Sequence, residues 1–193
     1  MLGLAPNGPL TIAEGSPVTL DRPFLIELAG SAGGRVRSAA RLGAIAAIRC
    51  GLYVTQRDDY PVTVKTGHSL SKLIFSERPI DYATASQPDA VLVLTEDGLN
   101  KTRIRLKALS AGSVVYTIPE FAELDTEAVV EVIDPSVLPD RVSKSDLALV
   151  MLTAAVARSG VLPPDALMAV AADGPFADSN EKAIRAGLQL GSA

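Results

Sequence analysis

Phe24-Leu25-Ile26-Glu27-Leu28-Ala29-Gly30-Ser31-Ala32-Gly33-Gly34-Arg35-Val36, followed by an alanine-rich run to Cys50-Gly51-Leu52-Tyr53-Val54, sets the class of this 193-residue chain. Residues 24–29 are mostly apolar and alternate poorly, which suits a strand covered on both faces. The glycines that follow make a turn. From 34 to 50, Val36, Ala39, Ala40, Gly43, Ala44 and Ala47 recur at helical spacing. Gly51 closes that helix, and Arg49 suits its C-terminal dipole. A strand then resumes at Leu52. Strand, glycine turn, helix and strand open a parallel α/β domain. The turn lacks the spacing of a dinucleotide loop, because the three positions where that fingerprint requires glycine hold Gly30, Ala32 and Arg35. Backbone N–H groups at the start of the helix can still receive an anion, and close packing accounts for the same glycines about as well.

Outward from this unit the rhythm continues. Residues 52–55 and 60–65 read as short strands, and Gly67-His68-Ser69-Leu70-Ser71-Lys72-Leu73-Ile74-Phe75-Ser76 as a longer one whose serine-bearing face is the wetter. Further strands are expected at 90–94, 113–118 and 129–132, with a helix over 100–109. This alternation predicts an α/β fold, a Rossmann-like and largely parallel sheet flanked by helices. The C-terminal region is expected to be helical. There, 146–158 is apolar nearly all round, a second helix should start at Leu162-Pro163-Pro164-Asp165, and a third should span 180–190. Residues 1–23, with Pro6, Pro9, Pro17 and Pro23, read as an extension before a single domain at 24–193.

Composition narrows the chemistry. The formal charge is −4 without a basic cluster, which argues against a nucleic-acid surface. Although 48% of residues are hydrophobic, no run approaches the about 20 apolar residues of a membrane span. No secretory signal pattern is visible, so the expected location is cytoplasmic. The one cysteine, Cys50, cannot form an internal disulfide or hold an iron–sulfur cluster, and one Cys with one His makes a zinc site improbable. With no Trp, four Phe and four Tyr, packing must rest on Ala, Val, Leu and Ile.

Few residues offer catalysis. His68 is the only histidine, and scattered acids give it no triad, so it reads as structural. Cys50 falls at a helix C-terminus, the wrong end for activating a thiolate, and reads as a packing residue. Glu96-Asp97-Gly98-Leu99-Asn100 looks like part of a thiamine-diphosphate motif, but Asp97 and Asn100 are too close together for it. A helix N-terminus carrying favourable acids explains that stretch.

Several segments fall into register with one family. The chain resembles the gamma subunit, or gamma domain, of the 2-oxoacid:ferredoxin oxidoreductases, which act on pyruvate, 2-oxoisovalerate, 2-oxoglutarate, indolepyruvate or phenylglyoxylate. That family opens with a strand and a turn of the form G-x-G-G-Q-G-V, matched here without a gap by Gly30-Ser31-Ala32-Gly33-Gly34-Arg35-Val36. Gly51 falls at the helix-ending glycine. Lys65-Thr66-Gly67-His68-Ser69-Leu70-Ser71 is similar to an R-G-G-x-S-x-S stretch, and Ser76-Glu77-Arg78-Pro79-Ile80 to S-x-x-P-I. Pro88-Asp89-Ala90-Val91-Leu92-Val93 resembles the next strand, Ser159-Gly160-Val161-Leu162-Pro163 a Gly-x-Leu-Pro junction, and Asn180-Glu181-Lys182-Ala183 the final N-x-x-A helix. The likeness covers about 24–190. Ala32 and Arg35 stand where the family has glycines, Gly34 where it has glutamine, and Lys65-Thr66 where it has Arg-Gly.

The resemblance implies a division of labour. Thiamine diphosphate and Mg²⁺ are expected on alpha and beta partner subunits, and iron–sulfur clusters on beta and ferredoxin-like ones. None is expected on this chain alone. The complex would decarboxylate a 2-oxoacid, pass the acyl group to coenzyme A as co-substrate, and deliver electrons to ferredoxin or another acceptor. This chain would be necessary but not catalytic by itself. Gly30, Gly33, Gly34 and Arg35 at the turn, and Lys65, Gly67, His68 and Ser69 on the second motif, are the candidate cofactor-binding or interface residues. Two alternatives stay open: a stand-alone nucleotide- or anion-binding α/β protein using the turn, and a scaffold subunit that has lost contact with the active centre.

Overall fold

The computed structural model describes residues 18–60, 67–81, 87–163, 165–173 and 176–192. Six strands form one sheet: β1 (Phe24–Ser31), β2 (Tyr53–Asp59), β3 (His68–Ser76), β4 (Ala90–Val93), β5 (Val114–Thr117) and β6 (Val129–Val132). Their order is β2-β3-β1-β4-β5-β6. Strand β3 pairs antiparallel with β1 and β2, and the pairs β1–β4, β4–β5 and β5–β6 are parallel. Only β3 runs against the rest, so the predicted α/β fold with a largely parallel sheet is what the chain adopts.

Four helices complete the domain: α1 (Val36–Arg49), α2 (Glu96–Lys107), α3 (Leu147–Ser159) and α4 (Ala177–Gly191). Helices α1 and α3 cover one sheet face. Their alanines and aliphatics, among them Ala40, Ala47, Met151 and Leu152, bury against Ile26, Leu28, Leu73 and Phe75. Small side chains let α1 lie close to the strands, as the composition required. Helix α4 packs outside α3 through Ala183, Ile184 and Leu190. Helix α2 lies on the opposite face, where Leu106 and Leu109 meet Val91, Val93 and Val115. Gly98 permits this approach, since a Cβ there would stand 2.3 Å from the Ala29 carbonyl oxygen.

Several local expectations are corrected. Strand β2 continues to Asp59 rather than ending at 55, while 61–66, most of the expected third strand, lies outside the described residues. Helix α2 starts at Glu96 instead of 100, because Thr95 caps it by accepting from the Gly98 N–H. Ile104 is exposed on it. After Leu162-Pro163 the chain makes turns and a short 3-10 helix at Met168–Val170, not an α-helix. The serine face of β3 is the buried one. Ser71 donates to Asp58 there and lies on the same side as Leu73 and Phe75, whereas Lys72 marks the wetter face.

Candidate functional site

Strands β1 and β4 end side by side, and helices of opposite sheet faces leave from them. The β1–α1 unit turns toward β2, and the β4–α2 unit toward β5. Such a switch point, at the carboxyl ends of parallel strands, is where open α/β sheets take ligands or partners. The turn 32–34 and the N-termini of α1 and α2 meet at this end. Across it, Ser31 Oγ donates to Thr95 Oγ1 at 2.9 Å.

The two motifs read separately in the sequence are neighbours here. Gly30 stands opposite Ser69 and Ser31 opposite His68 in the β1–β3 ladder. The Ala32 N–H donates to the Gly67 carbonyl at 2.8 Å. Gly33 is exposed with φ +83°, and the space a Cβ would occupy there is open, so the turn presents backbone outward. Lys65 lies outside the described residues.

Arg35 points the other way. Its backbone keeps φ 55°, the left-handed region that glycine, the residue of the resembling motif, adopts freely. A non-glycine residue there costs about 1–2 kcal/mol, and the side chain offsets it. The guanidinium pairs with Asp146 at 2.9 Å, donates to Asn180 Oδ1 at 2.6 Å, and stacks 4.6 Å from the Phe176 ring centroid. Asn180 in turn donates to the Ala171 carbonyl. Arg35 therefore ties the turn to the C-terminal helices, joining the first and last sequence motifs, and its charge is committed inward.

His68 opens β3 with Nε2 3.7 Å from Asp59 Oδ1, and Lys101 of α2 reaches the other Asp59 oxygen at 2.9 Å. The Lys101 hydrogen bond, seconded by the charges of Lys101 and His68, holds the Asp59 carboxyl below its ordinary range. Cys50 sits half-buried behind α1, and burial, aided by Asp165, pushes its thiol up. This favours the protonated thiol, a packing group. Among the described residues no three His, Cys, Asp or Glu side chains are placed to hold a metal ion. Among the described residues no nucleophile is paired with His68. The arrangement offers backbone, hydroxyls and fixed charges for contact.

Sequence reasoning passed over Glu27, Lys72 and Arg105. Glu27 is fully buried in β1, with Lys72 Nζ 3.4 Å from one carboxylate oxygen and the Arg105 guanidinium bonded to the other. The signal was present: one acid inside an apolar central strand requires cationic partners.

The fold and this end of the sheet define an α/β domain whose glycine turn and Gly67-His68-Ser69 segment meet at the switch point. A family model described as pyruvate ferredoxin/flavodoxin oxidoreductase matches residues 26–190, and the chain belongs to that family. The gamma subunit of a keto/oxoacid ferredoxin oxidoreductase from Geobacter sulfurreducens is 25% identical, with a TM-score of 0.67, over 88% of this chain and 98% of that one. A pyruvate oxidoreductase subunit from Thermotoga maritima shares the fold at 22% identity and TM-score 0.69, over 87% and 96% of the two chains. So does 2-oxoglutarate:ferredoxin oxidoreductase from Magnetococcus marinus, solved with 2-oxoglutarate, coenzyme A and succinyl-CoA, at 16% identity and TM-score 0.71. There the match covers 90% of this chain but 32% of that one. No curated protein matches in sequence. Among the described residues no helix is long and apolar enough to cross a membrane.

Proposed function

We propose that this chain is the gamma-type subunit of a multi-subunit oxidoreductase that oxidatively decarboxylates a 2-oxoacid, with transfer of the acyl group to coenzyme A. The observation that carries it is the likeness to the Geobacter gamma subunit over nearly the whole of both chains, within the matched family. Residues 24–193 act as one gamma-type domain, with 1–23 as an extension. Thiamine diphosphate, Mg²⁺ and the iron–sulfur clusters lie on alpha, beta and ferredoxin-like partners, and electrons leave to ferredoxin or another acceptor in the cytoplasm. A single half-buried cysteine and the lack of metal-holding side-chain groups among the described residues are compatible with that division. Gly33, Gly34, Gly67 and His68 face the cofactor-bearing partner at the switch-point end, and Gly30 and Ser69, buried beneath them, shape that end. Arg35 supports that end from within through Asp146 and Asn180.

Affinity purification of the full chain from its own cells, with mass spectrometry and a visible absorption spectrum, tests this. Larger partner chains and the broad brown absorption of iron–sulfur clusters are expected. A colourless, solitary protein would overturn the subunit reading and favour a stand-alone anion-binding protein.

A further inference from the structure

The sheet face opposite α1 is built differently from a core. Helix α2 crosses it over β1 and the near end of β3, with Leu106 reaching toward β4 and β5, but toward β2 it gives way to an open trough of about 570 Å³, running from Asp59 along β3 to Leu25 and Gln87. In the middle of its floor stand Arg57 and Lys72, in one row across β2, β3 and β1 with Glu27 buried at its end. Arg105 closes the row from α2.

The charges do not balance within the row. Glu27 is fully buried and is compensated by Lys72 and Arg105, each about a third exposed. One carboxylate thus faces two cations. Arg57 adds a third, directly across the strand pair from Lys72, and among the described residues it has no ion-pair partner. Like charges placed directly opposite on a sheet destabilise it. Neighbouring acids do not relieve them: Asp58 is taken by Ser71, Gln56 and Arg37, and Asp59 by Lys101 and His68. In a chain of net charge −4, this trough is locally positive.

We propose that this row docks an acidic segment of a partner subunit, whose Asp or Glu carboxylate enters between Arg57 and Lys72. Charge complementarity selects the occupant. The trough lies open along one side beside edge strand β2, which suits a polypeptide surface better than a small ligand, whose sites enclose most of its area. Leu70 and Ile74 supply an apolar floor beside the cations. Glu27 is then a positioning residue that holds Lys72 and Arg105 toward the incoming acid. The proposal rests on the subunit reading.

Amine acetylation followed by mass spectrometry, on the co-purified complex and on the isolated full chain, tests it. Lys72 should be protected about tenfold in the complex, with Lys144, which lies away from the trough, as the reference. Carbodiimide coupling of the complex should join Lys72 to an Asp or Glu of another chain. Arg57→Glu should weaken association by about tenfold while leaving the thermal midpoint of the isolated chain unlowered, because it removes a like-charge pair. Equal Lys72 labelling in an intact complex would overturn the docking surface and leave the subunit assignment standing. Absence of any complex would overturn the two together.

Discussion

Strand β1 presents two faces built on opposite principles. Toward α1 and α3 it turns Ile26 and Leu28 into an apolar core shared with Leu73, Phe75, Met151 and Leu152. Toward α2 it turns Glu27 into an ionic cluster with Lys72 and Arg105. The first face gains stability by removing apolar area from water and needs no partner. The second spends much of its Coulomb attraction on desolvating a carboxylate, so its net contribution to stability is small and its value lies in placing charge. Leu152→Ala, in the packed face, should cost about 3 kcal/mol by transfer and cavity terms. Urea unfolding of the isolated chain would show it as a lowered midpoint with an unchanged slope.

Arg105→Met should cost less, about 2 kcal/mol, because Glu27 keeps Lys72 and the guanidinium removed is itself a third exposed and so partly screened by water. The same measurement reads it. A loss equal to that of Leu152→Ala would break the comparison and make the ionic face a structural core. A loss under about 0.5 kcal/mol would mean that Lys72 alone satisfies Glu27.

The two faces were also unequally legible. The packed one followed from helical periodicity at Val36, Ala39, Ala40 and Ala47 and from the apolar run of 146–158, since period and composition are local properties. The glycine turn and Gly67-His68-Ser69 were visible as motifs, but their contact through the β1–β3 ladder was not, because β3 inserts between β1 and β2. The ionic face needs three strands and a helix in register, Arg57, Lys72, Glu27 and Arg105, and no short window of sequence holds that. Arg35 illustrates the same limit. The sequence marked it as a departure from a glycine, whereas its partners Asp146 and Asn180 lie more than 100 residues away. Strand β3 failed for a different reason: Ser69 and Ser71 are polar by type, but small enough to be buried on the packed face.

Asp59 gives the smallest expected effect and sharpens the comparison at the rim of the ionic face. Its carboxyl is held below the ordinary range, chiefly by the Lys101 hydrogen bond. A folded-state pKa below the unfolded value stabilises the fold fully above the unfolded carboxylate pKa of about 4, and that contribution disappears as pH falls through the lowered value. Asp59 is 54% exposed, so solvent screening limits the gain to about 0.5 kcal/mol. Wild type should exceed Asp59→Asn by that amount in urea unfolding at pH 7, with the gap closing toward pH 2. Lys101→Met should remove most of the gap at pH 7, since Lys101 is the main cause of the shift. A gap that persists unchanged at pH 2 would show that Asp59 acts by shape and neutral hydrogen bonding. The rim would then belong with the packed face, and charge placement would be confined to the row of Arg57, Lys72, Glu27 and Arg105.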